Sequence, residues 1–401
     1  MAKLLFIAKE KAPGESRVAG SPDTVKKLVA AGLEVVVEAD AGSQSRIPDA
    51  EFEKAGATIG TAADAARADV VLKVRRPDAE EAAGYKSGAV VIAIMDPYGH
   101  NDLIADLGSK GLTTFAMELM PRITRAQSMD VLSSQANLAG YQAVIDAAAA
   151  FDRAMPMMMT AAGTVPAAKV FVMGAGVAGL QAIATAKRLG AAVSATDVRP
   201  ASKEQVASLG GKFIAVEDEE FKAAETAGGY AKEMSKEYQA KQAALVADHI
   251  AKQDIVITTA LIPGRPAPRL VTADMLASMR PGSILVDLAV ERGGNVEGAV
   301  AGEVVDKNGV RIIGYNNVPG RIAASASLLY AKNLLTFLQT MIKDGDIAIN
   351  FDDELVKATA LTHGGKVIHP NFGGGTAAPA STPAAEPQAT EAVAATNKGD
   401  A

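Results

Sequence analysis

Cysteine is absent from the 401 residues. That excludes disulfides and thiolate chemistry and suits a reducing compartment. Histidine occurs only four times, with His363 and His369 near the end. Neither an HExxH nor a CxxC pattern is present, so no metal site is expected. No apolar run reaches the roughly eighteen residues of a membrane span, and alanine-rich stretches such as 143–150 read as helix formers. The opening MAKLLFIAKEKAPGE picks up charge too quickly for a signal peptide. Positive charge is not in excess: the formal net charge is −6, so nonspecific nucleic-acid binding is not expected.

What is present centres on residues 169–197, KVFVMGAGVAGLQAIATAKRLGAAVSATD. An apolar strand runs directly into Gly174-Ala175-Gly176-Val177-Ala178-Gly179. A helix follows to Leu189, and a second strand ends in Asp197. In this pattern Gly174 turns the chain off the strand, Gly176 lets a pyrophosphate approach the backbone, and Gly179 lets helix and strand pack closely. Unpaired N–H groups at the helix start suit phosphate. Asp197, eighteen residues past Gly179, is placed to accept from ribose hydroxyls and to repel a 2′-phosphate. That favours NAD over NADP, although Val198 and Arg199 bring an arginine close by.

Strands near 3–8, 34–39, 69–74, 89–94 and 112–116 alternate with helices. Such alternation predicts a parallel sheet covered on both faces. This first unit lacks GxGxxG, so it is not expected to be the main cofactor holder. A helical pattern over 127–150, with a break expected near Gly140, bridges to a second unit. That unit has strands near 170–174, 192–197, 212–216, 254–259, 283–288 and 310–314. A second long helix over 321–342 returns toward the first. The fold class is therefore α/β, with two doubly wound parallel-sheet (Rossmann-like) domains bridged by two long helices. The expected division is 1–130 plus 331–371, then 131–330, then an Ala/Pro-rich tail at 372–401 that should be disordered.

Four further stretches carry candidate chemistry. Met120 to Ser134 gathers Arg122, Arg125, Gln127, Asp130 and Ser133 at a strand-to-helix junction. These groups can hold a carboxamide or ribose, or can simply cap a helix. Thr258-Thr259-Ala260-Leu261 and Asp287-Leu288-Ala289-Val290-Glu291 each leave a strand at the edge where ligands bind in such sheets, or are ordinary turns. Gly228-Gly229-Tyr230…Met234 combines paired glycines with apolar anchors and reads as a closing lid or a mobile loop.

With Lys9-Glu10…Pro13 to Val18, PRITRAQSMD, TTALIPGRPAP and the glycine motif in view, residues 1–340 resemble a known family. It is the NAD(H)-binding component of proton-translocating nicotinamide nucleotide transhydrogenase. The resemblance implies two domains with a cleft between them. It implies direct hydride transfer from NADH to NADP on a separate domain of a β subunit. Arg122, Gln127, Asp130 and Ser133 would position the nicotinamide, with Gln127 reaching toward the partner. Gly174, Ala175, Gly176, Val177 and Gly179, with Asp197, Val198 and Arg199, would hold the rest of the nucleotide. Thr259, Ala260 and Leu261 would line it, and Gly229, Tyr230 and Met234 would fold over it. The resemblance further implies a homodimer and a separate soluble α1-type subunit. That subunit would work with a membrane α2-type subunit and a β subunit, peripherally on the cytoplasmic face of a bacterial inner membrane.

Alanine dehydrogenase shares this domain plan. Lys73 and Arg17 match positions that bind substrate in that family. Its catalytic histidine would fall at Met95-Asp96, where this chain has none. Oxidative deamination needs a base, so the departure counts against that alternative. A non-catalytic NAD-binding module is the other alternative.

Overall fold

The computed structural model describes residues 2–222 and 234–373. Two sheets organise it. The first has eight strands in the order Lys366–Val367, Ala360–His363, Thr113–Ala116, Val90–Ile94, Val70–Arg75, Leu4–Ile7, Glu34–Glu38, Thr58–Gly60. Its six N-terminal strands are parallel, and the two C-terminal ones add an antiparallel edge. The second sheet has seven strands in the order Lys212–Phe213, Ala192–Thr196, Lys169–Met173, Ile255–Thr258, Ile284–Asp287, Val310–Ile313, Val304–Lys307. Only the last is antiparallel. The sequence pattern missed that seventh strand because Val304–Lys307 is largely exposed and mixes valine with charge.

The central strands of both sheets are apolar on both faces, as helices above and below require. Leu5, Ile7, Val70 and Leu72 face one core, while Phe6, Val71 and Val91 face another. Val170 and Val172 are separated from Phe171 and Met173 in the same way.

Two long helices join the sheets. Val131–Ala150 begins with Val131 in the first domain's core and ends with Ala143, Val144 and Ala147 in the second's. The break expected at Gly140 does not occur, because Gly140 serves a contact instead of a kink. A Cβ there would stand 2.0 Å from Ala178 O, so glycine lets this helix lie directly on Val177–Arg188. The helix also starts later than expected, at Val131, after a 3-10 turn over Thr124–Met129. Ala323–Gln339 packs Tyr330, Leu334 and Phe337 on the first sheet. Arg321, just before it, forks onto Asp146 at 3.0 and 3.0 Å.

Phe372, placed in the tail by the sequence, is buried against Tyr98 and His369. The rest of that tail, from 374, lies outside the described residues. No helix among the described residues is long and apolar enough to cross a membrane.

Candidate functional site

In both sheets the strand order reverses beside a central strand, and ligands bind at such switch points. In the first sheet the point lies between Leu4–Ile7 and Val70–Arg75, and the chain's own side chains fill it. Glu10 accepts the Val74 N–H at 2.6 Å and the Arg75 N–H at 3.3 Å. Lys73, 1% exposed, sits 2.8 Å from Glu81 and 3.7 Å from Glu10. Arg17, 3% exposed, is forked onto Glu15 and also donates to Gln135 at 2.8 Å. Burial pushes the Glu10 carboxyl up to about 7, against the pull of Lys73. Glu15, held by Arg17 and Arg75 despite its burial, falls to about 2.

In the second sheet the switch point lies between Lys169–Met173 and Ile255–Thr258, and here it is open. Gly174 turns off the strand at φ +107. Its carbonyl accepts from Thr259 Oγ1 at 3.1 Å and would lie 1.8 Å from a Cβ at Gly179. A Cβ at Gly176 would meet nothing within 4 Å. Gly176 caps Val177–Arg188 with no side-chain hydrogen bond, and the first intrahelical bond is Leu180 N–H to Gly176 O at 2.8 Å. The preceding N–H groups therefore have no helical acceptor and suit an anion.

Asp197 stands beside this turn and accepts the Ala175 N–H at 2.7 Å. Arg199 lies on the same carboxylate, and Val198 is 70% exposed at the rim.

The opposite wall comes from the other domain. A cleft of about 290 Å³ is lined by Arg122, Gln127, Asp130 and Ser133 together with Ala175, Gly176 and Val177. Two stretches some fifty residues apart thus meet in one place. Asp130 also caps Val131–Ala150, accepting Ser133 N–H at 2.9 Å and Ser133 Oγ–H at 2.5 Å. Capping and cleft-lining are therefore both true of it. Arg125 turns away to Asp353 at 2.5 Å. Gly229 and Tyr230 lie outside the described residues, and Met234 only accepts from Gln239 Nε2 at 2.9 Å through its carbonyl.

The third wall is the loop after Ile255–Thr258, with Leu261 54% exposed. Sequence reading missed what holds it. Asn295, fully buried, accepts Ala260 N–H at 3.0 Å and donates to Ala260 O at 2.9 Å and Pro268 O at 2.8 Å. An asparagine after two glycines reads only as a turn, so nothing local signals the clamp. Asp287, singled out as a strand-edge candidate, is itself structural: it accepts Ala289 N–H and Val296 N–H, both at 2.9 Å.

The domains also touch through Arg292, which pairs with Asp96 at 2.6 Å. Asp96 has φ +48 and is held from below by Glu118, which accepts its N–H and that of Met95. Burial pushes the Glu118 carboxyl from 4.5 up to about 7. A carboxyl raised in the folded state contributes stability below its unfolded value, and that contribution is lost as pH rises through about 7. The melting temperature should therefore fall between about pH 5 and pH 8, and Glu118→Gln should flatten part of that fall. Glu10 keeps the remainder, since its shift has the same sign. An identical slope in the variant would remove this assignment.

The chain matches the alanine dehydrogenase/PNT N-terminal domain over residues 6–139 and the C-terminal domain over 143–370. The first of the two chains that make up the NAD(P) transhydrogenase subunit alpha of Rhodospirillum rubrum is 56% identical over 379 residues, 92% of this chain and 99% of that protein. The crystal structure of a transhydrogenase from Sinorhizobium meliloti is 73% identical with a TM-score of 0.85, covering 91% of this chain and 100% of that one. An L-alanine dehydrogenase structure, 24% identical with a TM-score of 0.76 over 92% of this chain and 98% of that one, shares the fold. With its glycine turn facing the Arg122–Ser133 wall, this chain belongs to the alanine dehydrogenase/PNT family, and within it to the NAD(P) transhydrogenase alpha subunits.

Proposed function

We propose that this chain binds NADH in the second domain's cleft and delivers hydride directly to NADP+ held on the NADP-binding domain of a β-type partner. The carrying observation is that Arg122, Gln127, Asp130 and Ser133 share one cleft with Ala175, Gly176 and Val177. Bound NADH supplies the hydride. The chain's own part is placement. The N–H groups at Val177 receive the pyrophosphate, and Asp197 takes the adenosine ribose. Asp130, locked to Ser133, fixes the start of the wall that holds the nicotinamide. Exposed Gln127 lies on that wall where a second protein can reach it. Thr259, Ala260 and Leu261, pinned by Asn295, close the side, and Gly229, Tyr230 and Met234 cover the nucleotide. Direct transfer needs two nicotinamide rings close and aligned and water kept out, without a general base.

The same reading makes the chain a homodimer. An isolated hairpin, Met158–Thr160 with Gly163–Val165, exposes Met157, Met158 and Met159 at 58, 43 and 79%. Such an apolar arm suits a second copy. A membrane α2-type subunit and the β subunit would couple transfer to proton translocation, with this chain peripheral on the cytoplasmic face of a bacterial inner membrane. Oxidative deamination is disfavoured because Lys73 and Arg17 are spent on internal carboxylates and Asp96 is spent on Arg292.

Gln127→Asn tests the placement. Mixed with the partner's NADP-binding domain, the variant should transfer hydride about tenfold or more slowly, since one methylene of reach is lost at an alignment-critical contact. Its NADH affinity should stay within about twofold of the parent. An unchanged rate would remove Gln127 from the interface.

A further inference from the structure

Resting on the reading that this cleft holds NADH, we infer that Arg199 is a latent 2′-phosphate receptor held shut by Asp197, so that the pair sets nucleotide choice. The Asp197 carboxylate takes four N–H contacts. Ala175 N lies at 2.7 Å and Arg199 N at 2.9 Å, while the Arg199 guanidinium adds Nε at 3.0 Å and Nη2 at 3.4 Å. Two carboxylate oxygens offer about four acceptor positions. Ribose hydroxyls therefore reach Asp197 by displacing contacts, and the two longest, both from the guanidinium, yield first. The main-chain contacts stay, so the carboxylate keeps its place.

The guanidinium is thus always next to the ribose edge. A further hydrogen bond, Nη2 to Ala175 O at 3.2 Å, keeps it over the glycine turn. A 2′-phosphate would need this same guanidinium, because phosphate is read by a planar fork of N–H donors. Asp197 competes for it from two residues away, tethered at high local concentration, with its side chain only 8% exposed. Asp197 thereby repels the phosphate directly and also occupies the adjacent group that would attract it. The second effect separates this arrangement from simple repulsion by an acid, and it makes Arg199 a specificity-determining residue. For a subunit that must take NADH while its partner takes NADP, the pair keeps the two nucleotides apart.

A double-mutant cycle tests this. The dissociation constants of NADH and NADPH are measured by calorimetry for the parent, Asp197→Ala, Arg199→Ala and the double variant, each in the full chain. Asp197→Ala should weaken NADH and tighten NADPH by about tenfold or more, since a freed guanidinium pairs with phosphate. The NADPH gain should vanish in the double variant and should shrink with added salt. Equal NADPH affinity in Asp197→Ala and the double variant would overturn the inference, as would no gain in Asp197→Ala. If Asp197→Ala does not fold, Asp197→Asn serves, because it can keep the Ala175 contact while losing the charge. A parent chain that binds neither nucleotide would instead defeat the cofactor reading itself. NADH binding by the parent without coupling in the cycle would defeat only this inference.

Discussion

Gly179→Ala should abolish tight NADH binding. The added methyl would stand 1.8 Å from Gly174 O, and that carbonyl has no room to retreat. It receives Thr259 Oγ1 at 3.1 Å, and Gly174 N–H is tied to Thr196 O at 2.9 Å. Either the helix Val177–Arg188 lifts off the sheet or the turn unwinds. Lifting the helix also breaks its contact with Gly140, where there is no slack. Overpacking of this kind costs about 3 kcal/mol of stability, the upper end of its usual range. NADH affinity should fall by more than about a hundredfold as the N–H groups lose their aim. Gly176→Ala is the informative contrast. Its methyl would meet nothing within 4 Å, so that variant should melt like the parent while binding NADH poorly. Calorimetric titration beside thermal melting separates the two, and a Gly179→Ala protein with near-parent affinity would contradict this geometry.

Lys73→Met should destabilise the first domain by about 3–5 kcal/mol, the cost of breaking a buried ion pair from one side. Lys73 lies between Glu81 at 2.8 Å and Glu10 at 3.7 Å, with nothing else cationic inside that trio. Removing it leaves two carboxylates out of water. Replacing both by glutamine in the same protein should recover much of the loss, because the unpaired charges go with them. Denaturant melts of the single and triple variants check this. The Lys73→Met variant also separates the two family activities. If Lys73 gripped a substrate, Lys73→Met would lose turnover and keep its stability. Here it should lose stability, and hydride transfer should follow only through the fraction folded.

The alternation of apolar runs with helical stretches made the two parallel sheets legible, because each central strand is buried on both faces. The nucleotide turn was legible because three glycines and one aspartate each answer a local steric or charge demand. The opposite wall needed the family resemblance, since helix capping explains Asp130 and Ser133 equally well, and the structure shows that they do cap. Contacts that join distant segments were invisible. Asn295 clamps Ala260 across 35 positions, Glu118 supports Asp96 across 22, and Gly140 meets Ala178 through packing between helices. None of these has a local period or motif, and a lone glycine inside a helical pattern reads as a break. The plugged first switch point was also hidden, because Glu10 and Lys73 read as loop and strand residues until the sheet brings them together.

The decisive measurement is stopped-flow hydride transfer. This chain is mixed with NADH, the NADP-binding domain of a transhydrogenase β subunit, and an NADP analogue of distinct absorbance. A fast burst that requires both proteins and is slowed by Gln127→Asn is the predicted result. NADH bound tightly with no transfer to the analogue would contradict the account.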